Sequence, residues 1–266
     1  FEVIKHRMAS HSKRILKTIT LDVTGTLFKF KMHIGQIYCI SATKCGKPCP
    51  DWDKMLEGFH KAYTLTGQRY PCFGGHDNMT PKEWWRECVY ESFVQSGYDY
   101  HKDSAVFEKI FNRIYALFGS REPYHVFEDV TPFLDWAKSH KNIKLGIITN
   151  ASARYRTTIL PILDLDPYFD FIAVAGEAKY KKPDKGIFDY ASELGEFELD
   201  DSWVHIGDNI EKDFQCVNEY GGNGILLNRF DNERLLKFQI DAKDDMPIFE
   251  DLAGVERYLA KNWICK

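Results

Sequence analysis

Residues 21–28 read LDVTGTLF, the end of an apolar run that begins at Ile15 (ILKTITLDV). The run has the length and the β-branched content of a buried strand. It closes on a carboxylate, Asp22, and then turns through Thr24, Gly25 and Thr26. Small turn residues let backbone N–H groups approach an anion, so the stretch has the shape of a phosphoryl-transfer motif. One letter does not fit. Thr24, two residues past the carboxylate, offers a hydroxyl and cannot serve as a carboxylic acid.

Beyond residue 143 short apolar runs alternate with amphipathic ones. IKLGIIT, FDFIAVA, SWVHIG and NGILLN are separated by ARYRTTILPILD, KGIFDYASELG and EKDFQCVNEYG. Strands spaced by helices in this way form a parallel sheet covered on both faces. Residues 30–120 have a different, helical texture. WDKMLEGFHKAY sets Trp52, Met55, Phe59 and Tyr63 on one stripe, and SAVFEKIFNRIYALF does the same with Phe107, Ile110, Ile114 and Phe118. That spacing belongs to helices packed on one side, and the aromatic stripes are read as helix–helix core. TPKEWWRECVYESF opens with Thr80 as N-cap, Pro81 in the first turn and Glu83 three residues past the cap, a capping-box pattern. The segment QRYPCFGGHDNM, residues 68–79, carries two glycines, a proline and the pair His76-Asp77. It is expected to be a loop that either contacts substrate or merely connects helices. The fold expected is α/β: a Rossmann-like parallel-sheet core at residues 15–29 and 121–266, a helical cap inserted at 30–120, and a tail at 1–14.

The 266 residues are 44% hydrophobic and 28% charged, which suits one large or two modest globular units. With a net charge of -4 and no basic stripe in the body of the chain, nucleic acid is not an expected partner. The basic stretch IKHRMASHSKRILK fits a targeting remnant, a nucleic-acid arm or a solvated tail, and the tail is the favoured reading. No run approaches the roughly 18 apolar residues of a membrane span, so no membrane partner is expected. Cys39, Cys45 and Cys49 crowd into CISATKCGKPC without the spacing of paired zinc ligands. Reduced thiols and an intracellular, cytoplasmic setting are the expectation; nucleus and mitochondrion remain open.

In α/β sheets, ligands sit at the carboxyl ends of the strands. Here those ends carry one consistent set: Asp22, then Thr149 with Asn150, then Lys179, Lys181 and Lys182, then Asp208 with Asp213. Asp22 and Asp208 can hold a hard cation between oxygens, and the ion masks their repulsion. Asp22 can then offer one oxygen as a nucleophile to phosphorus, with Thr149 and Lys182 compensating charge on the phosphoryl oxygens.

The order Asp22-Val23-Thr24-Gly25-Thr26, Thr149-Asn150, Lys182-Pro183 and Gly207-Asp208 through Asp213 resembles the haloacid dehalogenase superfamily. The helical insert resembles its C1-type cap. Trp84-Trp85, the YPCFG segment and the DVTGTL form are most similar to the haloacid dehalogenase-like hydrolase domain-containing protein 3 group, with its rhythmically expressed gene 2-like members. The resemblance implies Asp22 as nucleophile, Lys182 as the third-motif lysine, and Thr149 as the phosphate-binding hydroxyl beside Asn150. It implies Mg²⁺ held by Asp22, the Thr24 backbone carbonyl, Asp208 and Asp213, and a small phosphorylated molecule as substrate. Lys179 and Lys181 match nothing essential.

The family's acid/base aspartate is replaced by Thr24, and such a group is typically worth ~10²–10⁴-fold on each proton-dependent step. The expectation is a slow phosphomonoesterase working through an aspartyl-phosphate on Asp22. The alternative is a catalytically inactive phosphate-binding or interaction protein. Dehalogenation at carbon is disfavoured, because GDNIEKD resembles a metal-binding phosphatase motif. His76, Asp77 and His33 are the ionisable cap residues that could stand in for the missing acid.

Overall fold

The computed structural model describes residues 13–98, 104–229 and 247–265. Most of the expected tail at 1–14 lies outside the described residues. Strands β1 (Arg14–Ile15), β2 (Thr18–Leu21) and β3 (Phe28–Phe30) come first. Among the described residues the longer helices that follow are α1 (Ile34–Lys44), α2 (Trp52–Arg69), α3 (Pro81–Gln95) and α4 (Ala105–Leu117). The chain then returns through β4 (Tyr124–Val126), α5 (Val130–Ser139), β5 (Lys144–Thr149), β6 (Phe171–Val174) and α6 (Lys185–Gly195). It ends with β7 (Trp203–Gly207), β8 (Asn223–Leu227), β9 (Ile248–Phe249), α7 (Leu252–Asn262) and β10 (Trp263–Ile264).

Among the described residues, six strands form one parallel sheet in the order β6-β5-β2-β7-β8-β9. Central β2 is buried on both faces, so its apolar and threonine side chains all point into protein. One face packs Leu21, Leu134, Ile147, Ile206 and Val255 together. The other joins Ile148, Phe171, Ile187, Phe188 and Trp203. The run ILKTITLDV is not one strand: β1 peels away to pair with β10 in a separate two-stranded sheet. Because β5 and β7 flank β2 on opposite sides, β2 lies where the strand order reverses, and ligands bind at such points.

The helices between β3 and β4 have a core of their own, including Tyr38, Met55, Phe93, Phe107 and Ile110. Both connections to the sheet run through the antiparallel pair β3–β4, in which Phe30 is the register partner of Tyr124. The capping box at the start of α3 is formed: Glu83 N–H donates to Thr80 Oγ1 at 3.2 Å, and Thr80 N–H to Glu83 Oε2 at 2.7 Å. The aromatic stripe on α2 divides, however. Met55 is fully buried, Trp52 is exposed, and Phe59 and Tyr63 border a cavity. The expectation of seven reduced thiols is corrected as well, since Cys39 and Cys49 form a disulfide joining α1 to the residues before α2. Close cysteines on two packed segments can bond without the spacing of a zinc site.

Among the described residues no helix is long and apolar enough to cross a membrane.

Candidate active site

Asp22 follows β2 directly and is held there by its N–H, which donates to the Ile206 carbonyl of β7 at 2.9 Å. The turn after it is tight: Leu27 N–H returns to the Val23 carbonyl and Gly25 N–H to the Phe28 carbonyl, both at 2.8 Å. Gly25 has φ +88°, and a Cβ there would sit 2.4 Å from Asp208 Oδ2. Only glycine allows both that backbone conformation and that approach. Arg229 braces the turn from behind, donating to the Thr26 carbonyl while paired through both nitrogens with Asp129.

Four elements converge on the Asp22 side chain. Oxygens of Asp22, Asp208 and Asp213 lie within 4.8 Å of one another. Lys182, almost wholly buried, enters from the loop before α6. Its Nζ donates to Asp22 Oδ1 at 2.9 Å, to Asp213 Oδ1 at 2.6 Å and to the Ile148 carbonyl at 2.7 Å. All three ammonium protons are thereby used, so an incoming anion would meet the charge of Lys182 rather than a spare N–H. Burial alone would lower the pKa of this ammonium. The Asp213 and Asp22 carboxylates outweigh burial and hold it above the ordinary lysine value.

Asp213 is the most heavily supported carboxylate. Besides Lys182 it accepts from His205 Nε2 at 3.2 Å and from Asn209 N–H at 2.9 Å. Burial would raise its pKa, but the Lys182 charge and the His205 hydrogen bond hold it well below the usual carboxylate range. Gly207 makes room for it, since a Cβ there would lie 2.3 Å from the Asp213 carboxyl carbon. His205 itself is buried and shifted down, by desolvation first and then by the nearby Lys182 charge. Its other nitrogen lies 2.8 Å from Thr20 Oγ1, which also accepts from Trp203 Nε1 at 2.8 Å. A neutral imidazole with its proton on Nε2 satisfies every partner: Thr20 donates to Nδ1 and Nε2–H donates to Asp213.

Sequence reasoning missed His205, because one histidine inside WVHIG reads as part of an apolar strand. The available signal was register: His205 pairs with Thr20 across β2–β7 and shares its face.

The remaining expected residues divide into near and far. Thr149 is buried at the end of β5. Asn150 commits both ends of its amide to the Lys182 main chain, accepting from its N–H at 2.7 Å and donating to its carbonyl at 2.8 Å. It therefore positions Lys182. Thr24 Oγ1 shares a hydrogen bond of 3.1 Å with the Tyr155 hydroxyl, a residue the sequence did not single out. Burial pushes the Tyr155 phenol up to about 12, against the pull of that hydrogen bond, so it stays protonated at neutral pH.

His76 and Asp77 lie on the exposed side of the cap loop. His76 Nε2 meets the Lys179 carbonyl at 2.9 Å, which ties the loop to the core rather than to the carboxylates. His33 is also peripheral, 4.0 Å from Asp53. Lys179 and Lys181 are exposed.

A model described as haloacid dehalogenase-like hydrolase matches residues 16–216. The chain is 30% identical to haloacid dehalogenase-like hydrolase domain-containing protein 3 of Danio rerio, over 82% of this chain and 88% of that protein. It is 27% identical to the rhythmically expressed gene 2 protein of Drosophila melanogaster, over 83% and 86% of the two chains. Among solved structures it is similar to the putative HAD-hydrolase YfnB from Bacillus subtilis bound to magnesium, with a TM-score of 0.65 and 17% identity over 93% of this chain and 100% of that one. The parallel sheet with a carboxylate after its central strand and the match across most of the chain lead to one conclusion: this protein belongs to the haloacid dehalogenase-like hydrolase family.

Proposed function

We propose that the protein is a slow, Mg²⁺-dependent phosphomonoesterase that works through an aspartyl-phosphate on Asp22. The observation that carries this reading is the triad of carboxylates after β2 and β7, only partly offset by the single charge of buried Lys182, an imbalance that a divalent cation would neutralise. The donor set is all oxygen and suits a hard cation. Asp22 and Asp208 would hold it, while Asp213, with three donors already on its carboxylate, acts from behind them. Bound there, Mg²⁺ would polarise the phosphoryl oxygens and offset the charge of the carboxylates.

The chain's own residues account for the rest. One Asp22 oxygen attacks phosphorus, and the P–O bond to the alcohol breaks. The departing oxygen takes its proton from water, because Thr24 and Tyr155 supply only hydroxyls. A second water then cleaves the aspartyl-phosphate, releasing inorganic phosphate and restoring the Asp22 carboxylate. Without a positioned carboxylate both halves are slow. The Thr24–Tyr155 hydrogen bond also favours a second reading, a phosphate-binding protein without turnover, since it fills the acid/base position with two weak acids.

The test is phosphatase assay with and without Mg²⁺ on wild type, Thr24→Asp and Asp22→Asn, with trapping of the phosphoenzyme. Thr24→Asp is expected to raise turnover about 10²-fold, and Asp22→Asn to abolish both turnover and labelling. No labelling of Asp22 and no gain in Thr24→Asp would leave the binding-protein reading in possession.

A further inference from the structure

Between the cap helices and the loop after β5 lies a cavity of about 400 Å³, the size of a small-molecule site. Thr24 and Asn150 border it, so it adjoins the carboxylate cluster and extends from there into the cap. More than half of its lining residues are Phe, Tyr or Trp, and among the described residues no Asp, Glu or Lys borders it. The Tyr63, Phe73 and Trp85 rings gather on its wall, with pairwise centroid separations of 6.1, 6.3 and 6.4 Å. Arg154 flattens another part of the wall: its guanidinium stacks 3.6 Å from the centre of the Tyr115 ring, and Nη2 donates to the Tyr115 carbonyl at 2.6 Å.

Two observations set this space apart from ordinary core. Packed interiors leave few voids larger than a water molecule. In addition, Ser152 lines the cavity, is only 2% exposed, and its Oγ has no hydrogen-bond partner among the described residues. A buried hydroxyl left in that state is costly, and a polar atom on a bound molecule would satisfy it.

We infer that the cavity receives the organic half of the substrate and that this half carries an apolar ring. The substrate class is a phosphate monoester of an aryl-bearing alcohol, with the phosphoryl group at Asp22, the ring among Tyr63, Phe73 and Trp85, and a polar atom near the ester meeting Ser152. A sugar phosphate fits poorly, because its hydroxyls would exchange water for aromatic faces. This assignment rests on the hydrolase reading above.

The test compares kcat/KM for 2-phenylethyl phosphate, glycerol 1-phosphate and glucose 6-phosphate. All three leave as alkyl alkoxides, so leaving-group ability does not mask recognition of the ring. Acetyl phosphate, too small to reach the ring site, reports the carboxylate cluster alone. The phenylethyl ester is expected to be preferred by about 10- to 100-fold, the range that a buried hydrocarbon group supplies. Val89→Phe, which fills the cavity, should erase most of that preference and leave acetyl phosphate turnover unchanged; Ile34→Phe, at another lining position, serves if Val89→Phe does not fold. Equal kcat/KM for the phenylethyl and glycerol esters, or an undiminished preference in a folded filled variant, overturns the inference. Calorimetry with 2-phenylethylphosphonate and methylphosphonate separates the two readings. Tighter binding of the phenylethyl compound with no turnover of any ester, acetyl phosphate included, keeps the ring site and removes the hydrolase reading. Equal affinities overturn the ring site.

Discussion

Lys182 carries more of the site than any other side chain, since its ammonium is nearly inaccessible and bonds two carboxylates and a carbonyl. Replacing it with alanine leaves Asp22 and Asp213 facing each other without compensation. A loss of about 3–5 kcal/mol is expected, the usual cost of removing one partner from a buried pair, read as a lower urea midpoint. The same residues set a pH window. The Asp213 carboxyl is depressed in the folded protein, so its contribution is fully present above about pH 4 and is lost as pH falls through the folded value. Lys182 is raised, so its contribution is fully present below about pH 10.4 and is lost as pH rises through the folded value. His205, shifted down in the folded protein, adds a loss that begins as pH falls through about 6.5, and the raised thiols of Cys88 and Cys216 add one as pH rises through about 8.5. Denaturant midpoints should therefore stay level only between about pH 7 and 8 and fall on both sides. Asp213→Asn should flatten the acid limb. At this scale the sequence was informative where chemistry is local: Asp22, Lys182, Asp208 and Asp213 were legible from strand ends. His205 and Tyr155 were not, because each acquires its role from a partner on another element.

Among elements, the four principal strands after residue 143 were legible because buried parallel strands read as unbroken apolar runs. The two-residue strand pair β1–β10 was not, since its ends are hundreds of residues apart and too short to carry a period. Helical periodicity located α2 and α4 but could not tell a ring packed against another helix from one facing a cavity, because both lie on the apolar stripe. Tyr63 faces the cavity, and Phe59 both packs against the helical core and borders the cavity. The Cys39–Cys49 bond likewise depends on how α1 and α2 pack. It yields a countable outcome: thiol titration in denaturant should give five reactive groups before reduction and seven afterwards. Seven before reduction would show that the bond does not form. In the native state Cys88 and Cys216, both pushed up to about 12 chiefly by burial, should resist alkylation at neutral pH.

At the scale of the whole molecule, the loop at residues 70–79 ties the helical insert to the sheet. Cys72, Phe73 and Gly74 all have positive φ, at 50°, 58° and 78°, and the resulting curl lays Phe73 against the cluster around Phe171 and Phe188. Gly75 passes so close to the core that a Cβ would lie 2.7 Å from the Gly176 carbonyl. Gly75→Val is expected to lift the loop and to speed proteolytic cleavage within it, with little change in total helicity by circular dichroism. Unchanged cleavage would mean that the loop is held from elsewhere. The antiparallel pair β3–β4 has a different consequence. Because Phe30 and Tyr124 are register partners, the two ends of the insert emerge side by side, about 5 Å apart as in any such pair. A two-residue hairpin turn spans that gap, so excising the insert and sealing the stump with Asn-Gly should leave the parallel sheet folded, read as a cooperative thermal transition by circular dichroism. The same junction makes it a graft site, where a relative's insert could be exchanged to transplant selectivity without disturbing the carboxylates beneath.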